Sequence, residues 1–157
     1  KMRLALVSDS HDNLYFIKKF LEDLKKRNVD LIIHLGDIIS PFAAIEFLKA
    51  DKKIISIFGN NDGEIKGLKS LLDITKFPRE IELDGKKIIL YHDPDFEEEK
   101  IKNFDFLFYG HTHKKYYIKE GKTVIINPGE LCGYLTSLST YVTLDLENPI
   151  PNFHILT

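Results

Sequence analysis

The first half of the chain alternates short, continuously apolar runs with stretches of helical periodicity. Residues 4–7 carry no polar interruption, the mark of a strand buried on both faces. Residues 13–26 follow, with Leu14, Ile17, Leu21 and Leu24 on one helical face and lysines on the other. The alternation repeats as a buried strand over 31–35, a helix over 41–49 with Pro41 in its first turn, a strand over 53–58 and a short helix over 64–72. Strand, helix and strand recurring at about 30 residues predict βαβ units and a parallel sheet.

After Lys76 the pattern changes. Residues 79–83 and 86–91 flank Asp84-Gly85, a strong hairpin signal. Residues 95–103 read as a helix, its acids in the first turn and its lysines later, as the helix dipole favours. A strand over 106–109 precedes a second hairpin, 116–119 and 123–126 around Glu120-Gly121-Lys122, and residues 141–146 and 153–156 add two closing strands. This half has too few helices to cover a single doubly wound sheet. The expected fold class is therefore α/β, with two packed, mixed sheets and helices outside. No repeat, low-complexity tract or linker interrupts the 157 residues, so residues 1–157 are expected to form one domain.

Composition narrows the class. Apolar residues at 43% and charged residues at 29% describe a soluble globular chain and exclude disorder. Basic and acidic side chains nearly cancel, leaving a net charge of −2, which excludes nucleic-acid binding by bulk charge. A single cysteine, Cys132, excludes an internal disulfide framework. No apolar run approaches the roughly 18 residues of a membrane span, and the opening KMRLALVSDSHD turns polar too soon for a secretory signal. A cytoplasmic location without a membrane partner is the expectation.

The chemistry gathers where strands end. The residues following successive buried runs are Asp9, Asp37, Asn60, His92 and His111, all able to bind metal. In α/β sheets ligands bind outside the carboxyl ends of strands, so these segments would meet in one place. Gly36, Gly59 and Gly110 precede three of them, allowing sharp turns where a side chain would obstruct a bound ion. Asp9 and His11 lie two apart, as do His111 and His113; on extended backbone each doublet would point both side chains into one cavity.

The donor set Asp9, His11, Asp37, Asn60, His92, His111 and His113 offers oxygens and imidazoles with no thiolate. It suits first-row divalent ions and not the all-oxygen cages of calcium or magnesium. Seven donors exceed one ion with an open position; with one carboxylate bridging, they supply two ions about 3.5–4 Å apart. Two dications less two carboxylates leave positive charge that a bridging hydroxide and a phosphate oxygen would neutralise, so phosphoester hydrolysis fits best. Singly, each residue has a plainer reading: Asp9 or Asp37 as a cap or turn residue, the 60–63 segment as a turn, His92 as a core histidine. Their shared placement after strands is what favours a metal site.

Ser8-Asp9-Ser10-His11-Asp12-Asn13, Gly36-Asp37, Gly59-Asn60-Asn61-Asp62, His92 and Gly110-His111-Thr112-His113 occur in an order and spacing that resembles the calcineurin-like metallophosphoesterase superfamily, specifically its short bacterial and archaeal phosphodiesterases. Ile126-Asn127-Pro128-Gly129 is a further similar segment, and the likeness covers essentially the whole chain. It implies a four-layer α/β/β/α sandwich. It also implies Asp9, His11 and His113 on one metal, Asn60, His92 and His111 on the other, and Asp37 bridging. Mn²⁺ or Ni²⁺ are the favoured cofactors, with Fe, Co and Zn compatible, and a homo-oligomer is plausible.

Three positions depart from the pattern. The superfamily's usual histidine after the asparagine, a proton donor to the leaving group, is Asn61 here, which cannot act as an acid and is read as a substrate contact. Asp62 becomes the candidate acid if its surroundings raise its pKa, and a structural carboxylate otherwise. The H-G-H common at the fourth motif is His92-Asp93-Pro94, and Glu130 replaces the usual serine after N-P-G. Without a strong acid, substrates with good leaving groups are favoured.

The expected function is two-metal phosphodiester hydrolysis of a small phosphoester or nucleotide by attack of a bridging hydroxide. The rivals are a phosphomonoesterase or nucleotidase, and an interaction scaffold on the same fold, resembling the retromer subunit. His34 and His154 are expected to be structural, Cys132 a plain thiol, residues 97–99 a solvated helix start, and Phe104, Phe106, Phe108 and Tyr109 strand core.

Overall fold

In a computed structural model describing residues 1–157, the apolar runs of the first half become three parallel strands separated by helices: β1 (Arg3–Val7), α1 (Leu14–Leu24), β2 (Leu31–His34), α2 (Pro41–Leu48) and β3 (Lys53–Ile57). After α3 (Ile65–Leu71) come β4 (Asp73–Thr75), β5 (Arg79–Leu83), β6 (Lys86–Leu90), α4 (Glu98–Ile101), β7 (Phe106–Phe108), β8 (Lys115–Glu120), β9 (Thr123–Pro128), β10 (Ser139–Asp145) and β11 (Asn152–Leu156). One six-stranded sheet runs β11-β10-β1-β2-β3-β4, and a five-stranded sheet runs β5-β6-β7-β9-β8. Both are mixed: β1 to β4 are parallel, β10 is antiparallel to β1 and β11 antiparallel to β10, while β6, β7 and β9 are parallel between antiparallel edges β5 and β8.

Alternation along each strand divides the interior into layers. Ala5, Val7, Ile32 and Ile54 face outward onto Ile17, Phe20, Phe47 and Leu68 of the first three helices. Their neighbours Leu4, Leu6, Ile33 and Ile55 face inward and meet Ile88, Leu90, Phe108 and Ile126 of the second sheet. On that sheet's far side, Ile89, Leu107 and Ile125 lie under Ile101 and Phe104. The result is the expected α/β/β/α sandwich of four layers, its last layer thin.

Two elements differ from the sequence reading. The helix expected over 95–103 shrinks to the single turn of α4, because Glu97, Glu98 and Glu99 are exposed and Ile101 is its one buried residue. The strand β4 was not expected; its three residues, with only Ile74 buried, are too short to show a period. Between the sheets, the carboxyl ends of β1, β2 and β3 approach those of β6, β7 and β9: His92, after β6, reaches the Leu35 carbonyl after β2 with its Nδ1 at 2.7 Å.

Candidate metal centre

The loops leaving β1 and β2 are stitched together by backbone bonds, Asp9 N–H to the Gly36 carbonyl (3.0 Å) and His11 N–H to the Asp37 carbonyl (2.9 Å). The loop after β7 joins them when the His111 amide donates to Asp9 Oδ2 at 2.9 Å, an oxygen that also accepts from Ser8 Oγ at 2.7 Å. One carboxylate oxygen of Asp9 is thus consumed as an anchor and the other, Oδ1, is aimed into the cleft. Asp9 Oδ1 and His11 Nε2 are buried and have no hydrogen-bond partner. Each such orphan costs on the order of 1–3 kcal/mol unless something fills the space between them.

Around that space all seven sequence-predicted donors converge. Asp9, His11 and His113 form one group, and Asp37, His92 and His111 a second, each with ligand atoms within 4.8 Å of one another. In the first, Asp9 Oδ1 lies 3.6 Å from His11 Nε2 and 3.4 Å from His113 Nε2. In the second, Asn60 Oδ1 is 2.9 Å from His92 Nε2 and 3.2 Å from His111 Nδ1. Asp37 Oδ2 stands between the groups, 3.4 Å from both His11 Nε2 and His92 Nε2. Several ring nitrogens and carboxylate oxygens converging on one space are the donor chemistry of divalent cations, and the residues present fit it.

The backbone that delivers them corrects the extended-doublet expectation. Asp9, His11, Asp37, His111 and His113 all have positive φ, between 41° and 68°, so each doublet lies on left-handed turns. His111 and His113 accordingly diverge, one into each group. Such residues cost about 1–3 kcal/mol apiece and persist where their surroundings over-determine them. The glycines act on the donors themselves: a Cβ at Gly59 would strike the Asp37 carboxylate, and one at Gly110 would strike Ser8 and Asp9.

The calcineurin-like phosphoesterase superfamily domain matches residues 2–149. The chain belongs to this superfamily. It is 37% identical to the phosphodiesterase MJ0936 of Methanocaldococcus jannaschii, over 93% of this chain and 94% of that one. A solved archaeal phosphodiesterase superposes with a TM-score of 0.92 at 36% identity, covering 99% of this chain and all of the other. The phosphodiesterase YfcE of Escherichia coli K12 is 26% identical, over 83% of this chain and 79% of its own. The superfamily uses divalent metal ions, in keeping with the donor groups found here.

Electrostatics and hydrogen bonds separate the remaining residues of this superfamily member. Burial works against the Asp37 carboxylate, but His92 and the Asn61 amide outweigh it and hold its pKa well below the usual range. The nearby carboxylates of Asp9 and Asp37 raise the pKa of His11 against burial; for His92, burial is overcome by Asp37 and the Leu35 carbonyl. These are proton sites that a cation would take over. Asn61 touches Asp37 twice, through its backbone N–H to Oδ1 (2.8 Å) and its side-chain amide to Oδ2 (3.0 Å). Asp62 is buried, which raises its pKa, yet both its oxygens are engaged: Oδ2 accepts from the Asp37 and Gly59 amides (2.9 and 2.7 Å), Oδ1 from the Ile39 amide (2.7 Å). It clamps the loops that carry Asp37 and Asn60.

His34 behaves as a core histidine. Its Nδ1 accepts from the Gly36 amide (3.1 Å), so its Nε2–H donates to Ser10 Oγ (2.9 Å), and burial pushes its pKa down to about 3. His154 lies elsewhere, against Tyr141 and Thr143. Glu130 was missed as a functional residue. It is fully buried and its Oε1 meets His113 Nδ1 at 2.6 Å. Hydrogen bonds from Thr136, His113 and Cys132 overcome the burial penalty and pull its pKa to about 2. The signal was available: a carboxylate inside Ile-Ile-Asn-Pro-Gly-Glu-Leu-Cys has to find partners if it is buried. Cys132 stands with His113 and Glu130 in a third group of possible ligand atoms, its thiol pushed up to about 12 by burial and Glu130. A hollow of about 630 Å³ beside Glu80, Lys87 and Lys100 is lined by none of the donors.

Proposed function

We propose that the protein is a phosphodiesterase that hydrolyses small phosphodiesters with the help of two divalent transition-metal ions. The observation that carries this reading is the pair of buried, unpartnered atoms, Asp9 Oδ1 and His11 Nε2, inside a seven-donor cluster. The names of MJ0936 and YfcE support the phosphodiester class. Asp9, His11 and His113 would hold one ion, Asn60, His92 and His111 the other, with Asp37 shared. When bound, such ions polarise phosphoryl oxygens and lower the pKa of water toward neutrality. Mn²⁺ or Ni²⁺ are the proposed ions, and the mixed oxygen and imidazole donor set also accommodates Fe, Co or Zn.

The chain's own residues then orient and restrain. Ser8 and the His111 amide hold Asp9 in one rotamer, Asp62 fixes the loop amides around Asp37, and Asn61 lies beside Asp37 where a substrate phosphate would arrive. No histidine is left over to serve as the acid. Four of the six histidines belong to the cluster, His34 lies beneath it, and His154 bonds to Thr143. Asp62 is accordingly assigned to loop positioning, and the leaving group departs largely as its anion. Aryl and other acidic leaving groups are therefore the favoured substrates.

The test is hydrolysis of bis-p-nitrophenyl and mono-p-nitrophenyl phosphate after metal removal and return of Mn²⁺ or Ni²⁺. Activity should vanish on removal, recover on return and favour the diester, with rates falling steeply across diesters of rising leaving-group pKa. Metal-independent turnover, or none with any ion, overturns the proposal.

A further inference from the structure

We propose that Glu130 is a positioning residue for His113, accepting its Nδ1–H so that the ring presents Nε2 to the metal beside Asp9 and His11. This rests on the metal reading above and adds to it a residue outside the seven donors. A neutral imidazole carries its proton on one nitrogen or the other, and only the bare nitrogen can bind a cation. The 2.6 Å contact from Glu130 Oε1 to His113 Nδ1 decides the matter, because a carboxylate there requires a donor. His113 Nε2 is then the bare atom, and it lies 3.4 Å from Asp9 Oδ1.

Glu130 is itself held in place. Its Oε1 also accepts from Cys132 Sγ (3.1 Å) and the Leu135 amide (3.1 Å). Its Oε2 accepts from the Leu135 amide (3.0 Å), the Thr136 amide (2.5 Å) and Thr136 Oγ1 (2.6 Å). With no exposed surface, the carboxylate can neither swing away nor exchange these partners for water. The Leu131 and Cys132 amides meanwhile donate to the Ser8 and Asp9 carbonyls, so the segment that fixes Glu130 is tied to the loop bearing Asp9 and His11. No other imidazole of the cluster has this support: His92 Nδ1 faces a neutral carbonyl, that of Leu35. The site built from Asp9, His11 and His113 thereby gains a negative charge behind one ligand and a ring that needs no reorientation on binding.

The experiment is calorimetric titration of the metal-free full-length chain with Mn²⁺, with the visible spectrum of the Co²⁺-loaded protein as a second readout. Wild type should bind two ions. Glu130→Gln and Glu130→Ser should weaken one of them by roughly 10–100-fold and leave the other within about threefold. Glu130→Asp, which keeps the charge, should recover part of the loss. Thr136→Val removes one loop donor to Glu130 without touching His113 and should weaken that ion by much less than Glu130→Gln does. The proposal is overturned if Glu130→Gln binds both ions normally, or if Thr136→Val weakens the same ion equally, since Glu130 would then serve only as a loop anchor. Should the substituted chains misfold, nitrogen NMR of metal-free wild type still decides: the Nδ1–H tautomer of His113 is expected, and the Nε2–H tautomer refutes it. A wild type that binds no cation refutes the metal reading itself and this inference with it.

Discussion

On one side of the cluster Asp9 has no exposed side-chain surface and His113 only 10%, and both are backed by further hydrogen bonds, from Ser8 and the His111 amide to Asp9 and between Glu130 and His113. On the other side Asp37 and His92 are equally buried, but Asn60 and His111 are exposed, and they touch each other and His92 more than any outer support. The donor chemistry of the two sides is similar; their enclosure is not. On the proposed reading the enclosed side is a fixed base, whose ion stays, and the open side is where an ion exchanges and a substrate phosphate enters. An exposed ligand keeps rotamer freedom that must be lost on binding, which weakens its ion relative to a site already ordered by its neighbours.

The strongest way to break this contrast is to remove the group that both sides share. Asp37→Asn should lower both metal occupancy and the rate of diester hydrolysis at least ~100-fold, beyond the 10–100-fold typical of losing an outer partner. Normal activity in that variant would exclude a shared carboxylate. Next, Asp62→Asn strips a charged acceptor from three backbone amides on the open side. It should cost roughly 2–3 kcal/mol of stability by thermal or urea unfolding while leaving the shape of the pH–rate profile unchanged. A lost alkaline limb would instead restore Asp62 as the acid.

The contrast itself is measured by paired deletions. His113→Ala should weaken one ion about tenfold more than His111→Ala weakens the other, because it discards a ligand already held in place. Equal losses would mean that enclosure does not order the two sites. The smallest effect concerns His34, beneath the enclosed side at Ser10. Its depressed folded pKa, about 3, means that the unfolded chain takes up a proton near pH 6.5 that the native state refuses. Its share of stability is present above that pH and is lost as pH falls toward 3. Between pH 7 and 5.5 the metal-free protein should lose about 1 kcal/mol more than His34→Gln does in parallel unfolding curves. Comparison with the variant matters, since the raised pKa values of His11 and His92 act with the opposite sign.

Much of this was legible beforehand. Uninterrupted apolar runs such as 31–35 announced strands buried on both faces, and Asp84-Gly85 announced its hairpin, because those signals are local in origin. The strand-end donors were legible for the same reason, with each motif contained in a few neighbouring residues. The short α4 and the unforeseen β4 were not, since three or four residues carry too little period to overcome exposed glutamates or a lone buried isoleucine. Nor was the left-handed backbone of Asp9, His11, His111 and His113, which local preference disfavours and only surrounding contacts enforce.

What the order of residues determined by itself was the class of architecture and the inventory of donors, because hydrophobic periodicity and side-chain chemistry are properties of short segments. Which nitrogen of His113 faces the cleft, which doublet member joins which group, and why Glu130 and Asp62 are buried with their charge were decided only in three dimensions. Those outcomes depend on partners far away along the chain, Asp9 to His111 being 102 residues apart. A buried charge or an orphaned ligand atom becomes tolerable only when packing brings its counterpart within hydrogen-bonding or coordinating reach.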